Sequence, residues 1–350
     1  MLSEKISFQN KRILVCPLDW GLGHAARCIP LIKYLQEQNN KIIVTCNEKQ
    51  KTFLLNEIEG VEFVDLFGYD VNYSNLFPLW IKVLFQFPRL CFVVKKENKW
   101  LKNYLRKNKI DAVISDNRFG LYNKNVESIF ITHQVFVKAP FLSGLVNYIN
   151  HSFIKKFNQC WVPDFEEKQK SLSGELSQGK IVNKNTVFIG PLSRFTKKES
   201  AAVKFFDVLL LLSGVEPQRS LLEKKLVAVF TNTKVKIALV RGTNIKQGNS
   251  FPENFTLTNV ATTQQLETLF YSSEKIICRS GYSTLMDLHA LGLNALLVPT
   301  PGQTEQEYLA EYWNEKFGFK TLSQNEISEA SVLNLLNPIK TPVIPIENIN

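Results

Sequence analysis

Along the first 190 residues, short apolar runs recur, each followed by a stretch with apolar positions three and four apart. The runs are Arg12–Pro17, Lys41–Cys46, Val61–Leu66, Asp111–Ser115, Ser128–Thr132, Gln159–Val162 and Thr186–Ile189. Between them, His24–Gln38 and Glu48–Glu57 have helical spacing, and Pro78–Lys107 carries one or two helices. Runs that are apolar without alternation suit strands buried on both faces, which predicts a parallel sheet covered by helices. Gly190-Pro191 closes this series and Ser193–Ser200 is polar. The pattern then restarts with Asp207–Leu212, a helix from Pro217 to about Phe230, Lys236–Val240, Phe255–Val260, Lys275–Cys278 and Asn294–Val298. The expectation is an α/β protein of two Rossmann-like parallel-sheet domains, residues 1–192 and 203–337, linked by 193–202. Such a pair of domains is expected to enclose a ligand cleft facing the carboxyl ends of the strands.

A length of 350 residues agrees with two domains. With 45% hydrophobic and 21% charged residues, the chain is neither disordered nor fibrous. It has no uninterrupted apolar run of 18 residues and no secretory leader pattern. The six cysteines form no CxxC pair and several lie in apolar runs, so they read as reduced core residues of a cytoplasmic protein.

Charge is unevenly placed. The net +10 lies wholly within residues 1–195, and residues 196–350 are balanced. Residues 82–109 hold nine basic side chains, Lys82, Arg89, Lys95, Lys96, Lys99, Lys102, Arg106, Lys107 and Lys109, against Glu97 alone. The preceding stretch, residues 76–94, is rich in aromatic and aliphatic residues but broken by Pro78, Lys82, Gln86, Pro88 and Arg89. That combination suits a surface dipping into an anionic leaflet rather than a spanning helix, and the same residues also suit a buried helix with a solvated basic face. The partner expected for residues 76–109 is therefore an anionic membrane or lipid acceptor, with the protein peripheral on the membrane's inner face. A nucleic acid is not expected.

Two motifs carry chemistry. Asp19-Trp20-Gly21-Leu22-Gly23-His24-Ala25-Ala26-Arg27 joins the first strand to the first helix. Its glycines allow close backbone approach, and the helix start favours negative charge. Gly21, Gly23 and Ala26 also satisfy a dinucleotide fingerprint, but three residues separate it from the strand, and Asn47-Glu48 is a poor ribose-binding acid. His24 suits a catalytic base. The second motif is Cys278-Arg279-Ser280-Gly281-Tyr282-Ser283-Thr284-Leu285-Met286-Asp287, a strand end, a small-residue turn and a helix start. Its amides with Ser280, Ser283 and Thr284 could hold a diphosphate. Asp287 shares a helix face with Ser283 and Thr284, placing it for ribose hydroxyls. The next strand runs into Pro299-Thr300-Pro301-Gly302-Gln303-Thr304-Glu305-Gln306-Glu307, a polar loop suited to a sugar.

In this order these blocks resemble the GT-B nucleotide-sugar glycosyltransferases, in the branch with the lipid-linked N-acetylglucosaminyl transferase of peptidoglycan synthesis and the plant galactolipid synthases. The resemblance covers most of the chain, with specific matches in residues 19–27 and 275–308. It implies an amino-terminal acceptor domain, often at the membrane, and a carboxy-terminal UDP-sugar domain. It puts Asp287 in the place of the ribose-binding acid, usually glutamate. Gln306 and Glu307 fall where a Gln-Gln pair touches the donor sugar, with Gln303 in the same loop. Ser213-Gly214 resembles the glycine-rich turn beside the diphosphate. Gly302 and Glu307 depart from the family's residues, so the sugar is not specified. The two glutamates eight apart of the retaining enzymes are missing, because Arg279 stands eight before Asp287. Glu307 and Glu315 have that spacing but lie beyond the following strand.

The activity expected is an inverting, metal-independent transfer of a hexose from a UDP-linked nucleotide donor, with no cofactor and no Asp-x-Asp metal motif. His24 is the first candidate base, and Asp116 is its alternative or orienter. Arg241 or Arg279 would help stabilise the departing diphosphate. Asp116 and His133 close successive strands and serve the acceptor side, with Gly21 and Gly23, or else hold local structure. Three rivals remain: a sugar-nucleotide epimerase, an NAD(P)-dependent oxidoreductase and a non-catalytic sugar-nucleotide binder.

Overall fold

A computed structural model describes residues 6–69, 79–139, 142–180, 182–198, 203–243 and 251–336, without the side chains of 79–89 and 335–336. Residues 76–78 of the apolar segment, the side chains of Lys82, Gln86, Pro88 and Arg89, and residues 199–202 of the expected linker lie outside that description. By packing, the described residues through Arg194 form one unit and those from Phe195 a second.

The first unit holds strands β1 (Arg12–Pro17), β2 (Lys41–Cys46), β3 (Glu62–Asp65), β4 (Ala112–Asp116), β5 (Glu127–Ile131), β6 (Gln159–Val162) and β7 (Thr186–Phe188). Its helices are α1 (Gly23–Glu37), α2 (Glu48–Leu55), α3 (Leu79–Lys107) and α4 (Ser143–Ile154). The strands pair in parallel in the order β3-β2-β1-β4-β5-β6-β7. β1 is buried from Ile13 onward, as a strand covered on both faces must be. Leu14, Ile43 and Val113 pack with Leu101 of α3 on one face.

The second unit holds β8 (Phe206–Leu211), β9 (Ile237–Val240), β10 (Phe255–Thr258), β11 (Ser273–Cys278), β12 (Leu296–Leu297) and β13 (Lys320–Thr321). Its helices are α5 (Gln218–Phe230), α6 (Thr263–Ser272), α7 (Tyr282–Leu291), α8 (Thr304–Phe317) and α9 (Glu329–Leu336). The sheet is again parallel, ordered β10-β9-β8-β11-β12-β13. β12 is shorter than the expected Asn294–Val298, although the Val298 amide still bonds the Cys278 carbonyl at 2.8 Å.

In each sheet the strand order reverses once, between β1 and β4 in the first and between β8 and β11 in the second. Loops leaving the carboxyl ends of two such strands diverge and open a crevice, the usual ligand position of open α/β sheets. The His24 turn and Asp116 lie at the first reversal, with Pro17 registered against Asp116. Ser213-Gly214 and Arg279–Gly281 lie at the second, where Leu211 registers against Cys278.

All six cysteines are unpaired. Burial pushes the Cys16, Cys160 and Cys278 thiols up to about 12. Among the described residues, no helix is long and apolar enough to cross a membrane.

Candidate active site

The turn after β1 depends on Gly21, whose φ of +72° is disfavoured for residues with a Cβ. Gly23 begins α1, and His24 and Arg27 follow on its first turns. His24 Nδ1 lies 3.1 Å from Asp116 Oδ2, and the Asp116 carboxylate is fully buried. Arg27 grips the same carboxylate with both prongs of its fork, Nε to Oδ2 at 2.8 Å and Nη2 to Oδ1. Its remaining nitrogen, Nη1, lies 3.2 Å from His133 Nδ1. The three expected residues of this unit, His24, Asp116 and His133, thus meet through Arg27.

An ionised carboxylate only accepts, so Nδ1 of His24 carries the proton and Nε2 keeps its lone pair. The His24 side chain is 18% exposed. Burial drives the His24 pKa below its ordinary value, against the upward pull of Asp116. For Asp116 burial acts upward, but Arg27 and His24 overcome it and hold the carboxyl well below the usual range.

A second buried cluster braces this turn. Arg118 donates to Glu97 at 2.8 Å and to the Phe67 carbonyl at 2.5 Å, and its guanidinium lies 3.8 Å from Asp19. Tyr69 donates its hydroxyl to Glu97 at 2.9 Å, and its amide bonds the Asp19 carboxylate at 3.1 Å. Glu97, the lone acid of the basic stretch, is therefore a core ion-pair partner. Lys95, Lys96, Lys99 and Lys102 are exposed, while Val93, Val94, Glu97 and Leu101 face inward. Asn47, weighed as a ribose-binding residue, instead caps α2 by accepting from the Gln50 amide at 2.9 Å.

In the second unit, three loops at the carboxyl ends of β8, β11 and β12 converge. A Cβ placed on Gly214, which has φ +102°, would come 4.0 Å from Thr300 Oγ1. Ser280, fully buried, donates its hydroxyl to the Gln306 carbonyl at 2.7 Å. Arg279 bonds the Val298, Pro299 and Gln218 carbonyls and Gln324 Oε1 at 2.6–3.1 Å. Gly281 precedes α7 without a side-chain cap, and a Cβ there would meet open space. Ser283, Thr284 and Asp287 follow on α7, each half-buried. Gln303 precedes α8, Gln306 bonds back to Gln303 Oε1 and the Thr300 amide, and Glu307 accepts from the Gly302 amide at 2.8 Å.

Three of the donor-side candidates have partners within their own unit. Ser280 gives its one hydroxyl proton to the Gln306 carbonyl. Arg241 is buried and pairs with Glu223 at 3.1 Å, with Arg219 on the same carboxylate at 2.6 Å. Arg279 is committed to carbonyls, and burial lowers it to about 10. Both arginines therefore brace loops of their own unit. A cavity of about 430 Å³ is lined by Glu307, Glu311, Glu315 and Glu326 among others. Its carboxylates would repel a diphosphate.

Residues 211–342 match the glycosyltransferase family 28 C-terminal domain. An uncharacterized glycosyltransferase of Methanosarcina acetivorans is 25% identical over 214 residues, 56% of this chain and 55% of its own length. The chain thus spans about half the length of that relative. The processive diacylglycerol beta-glucosyltransferase of Bacillus pumilus is 22% identical over 93% of this chain and 87% of its own. Among solved structures, UGT89C1 of Arabidopsis thaliana complexed with UDP is 12% identical, with a TM-score of 0.65 over 95% of this chain and 91% of that one. By its two parallel sheets and these likenesses the chain has the GT-B type of fold, and residues 211–342 resemble the glycosyltransferase family 28 C-terminal domain.

Proposed function

We propose that the protein is an inverting, metal-independent hexosyltransferase that moves a sugar from UDP to the hydroxyl of a lipid acceptor. The observation that carries this reading is the partly exposed His24 imidazole, its Nδ1 bonded to the buried Asp116 carboxylate. In the proposed step, Nε2 of His24 takes the acceptor hydroxyl proton as the oxygen attacks the sugar's anomeric carbon. The bond to the UDP oxygen breaks on the opposite face, and its electrons leave with the diphosphate. Asp116 orients the imidazole and stabilises it once protonated. It is a poor base itself, because both of its oxygens are occupied.

The departing diphosphate is assigned to the first turn of α7, where helix geometry aims backbone N–H groups outward and favours negative charge. The Ser283 and Thr284 hydroxyls assist, and Asp287 takes the ribose hydroxyls. The UDP complex of the Arabidopsis protein favours a uridine donor, and the Bacillus enzyme, named as a diacylglycerol beta-glucosyltransferase, favours a lipid acceptor. The exposed basic face of α3 with Phe92, and the exposed Leu142, Leu145 and Tyr148 at the start of α4, suit an anionic lipid surface. UDP release from a panel of UDP-sugars, with diacylglycerol in anionic vesicles as acceptor, tests the reading. Turnover is expected with a hexose donor and lost in His24→Ala; release that is equally fast without any acceptor would overturn it.

A further inference from the structure

We propose that Arg27 is the positioning residue of the catalytic pair: it fixes both oxygens of Asp116 and one nitrogen of His133, so that the carboxylate orients His24 without drawing a proton onto it. This rests on His24 being the base. The argument begins from bonding capacity. Asp116 Oδ2 receives Arg27 Nε at 2.8 Å, His24 Nδ1 at 3.1 Å and the Cys28 thiol at 3.7 Å, while Oδ1 receives Arg27 Nη2. A carboxylate held on both oxygens by a planar fork cannot rotate, so the direction it presents to His24 is set by the guanidinium. A lysine would supply the charge but only a single point of attachment.

Neutralisation is the second part. A buried carboxylate beside an imidazole ordinarily favours the imidazolium, which would occupy the base with a proton before the acceptor arrives. Arg27 supplies the opposing charge at the same carboxylate, leaving the cluster of Arg27, Asp116, His24 and His133 with no net charge. The charged and titratable groups acting on His24 are Arg27 from its own helix, Asp116 from the end of β4 and His133 just after β5, with the Cys28 thiol on the same Asp116 oxygen. Cys28 is buried and its thiol is pushed well above its ordinary range, so it stays neutral. His133 hands no proton to Arg27: its Nδ1 accepts from Nη1, so its own N–H is on Nε2. That contact holds the strand-end loop of β5 against the same fork.

The test reads His24 directly. The chain has four histidines, so the imidazole NMR signals of the full-length protein can be assigned by single substitutions. In wild type His24 should titrate below the ordinary 6.5. In Arg27→Met the midpoint should rise by about one pH unit or more, with the acidic limb of kcat/KM moving with it. In Arg27→Lys, which keeps the charge, the midpoint should stay near wild type while kcat falls at least about tenfold. A loss of turnover with no movement of the His24 midpoint in Arg27→Met would overturn the proposal, as would full activity in Arg27→Lys. If Arg27→Met does not fold, the Arg27→Lys outcome decides. Because the titration needs no substrate, it stands or falls separately from His24→Ala, whose full activity would instead remove the base assignment.

Discussion

Replacing Asp116 with asparagine keeps the side chain's shape and removes its charge. An amide has one accepting oxygen and one donating NH₂. With the oxygen toward His24 Nδ1 and Arg27 Nε, the NH₂ confronts Arg27 Nη2, donor against donor. With the amide turned over, the NH₂ faces His24 and forces its proton onto Nε2, which removes the lone pair the proposed base needs. Neither orientation satisfies both partners, and Arg27 is left as a buried guanidinium without a counter-charge. Breaking a buried pair from one side costs about 3–5 kcal/mol, and the equivalent change in a Ser-His-Asp triad lowers kcat about 10⁴-fold. The expected result is a less stable protein with turnover reduced about 10³–10⁴-fold. Urea unfolding followed by tryptophan fluorescence reads the first quantity, because four of the five tryptophans precede residue 195. UDP release reads the second. Since the folded Asp116 carboxyl is held below its unfolded value, its contribution is complete above about pH 4 and is lost as pH falls through the folded value. The stability gap between wild type and variant should therefore be constant from pH 7 to about pH 5 and close in stronger acid. A variant as stable as wild type and within tenfold of its turnover would refute the reasoning.

Asp287→Ala should weaken UDP binding by about 1.5–3 kcal/mol, the range for hydrogen bonds to a charged group, with the melting transition retained; unchanged affinity in calorimetry would remove Asp287 from the ribose. Replacing Lys95, Lys96, Lys99 and Lys102 with glutamate should release the protein from anionic vesicles, since each basic side chain near a leaflet contributes on the order of 1 kcal/mol. Sedimentation at low salt measures this, and wild-type protein remaining in the supernatant would defeat the membrane assignment. The activity of wild type against pH should have its acidic limb below 6.5, because burial lowers His24; a limb above 7 would contradict the neutral imidazole.

The first sheet was legible because its inner strands are short and apolar: β1, β2 and β6 lie where the pattern puts them. Edge elements were not. β13, at the edge of its sheet, is two residues, Lys320–Thr321, with no apolar run to mark it. In the first unit, the glycine turn before α1 brought His24 into view and strand-end placement brought Asp116 and His133, since residues closing adjacent parallel strands must be neighbours. Arg27 was not visible, because its partner Asp116 is 89 residues away. Glu97 looked like one acid on a solvated basic face, yet its spacing with Val93, Val94 and Leu101 puts it on the inward stripe of α3. Arg241 and Arg279 followed strands, which suggested ligand binding. A buried guanidinium needs acceptors whether or not a ligand is present, and Glu223, Gln324 and loop carbonyls supply them here.

The most direct test of glycosyl transfer by direct displacement is the anomeric configuration of the product. An α-linked UDP-hexose, a diacylglycerol acceptor in anionic vesicles and the full-length protein would be followed by proton NMR from the first turnovers, with and without a chelator. The expected result is a β-glycoside formed as UDP appears, at the same rate with the chelator and abolished in His24→Ala. An α-glycoside, or transfer that persists in His24→Ala, would contradict the account.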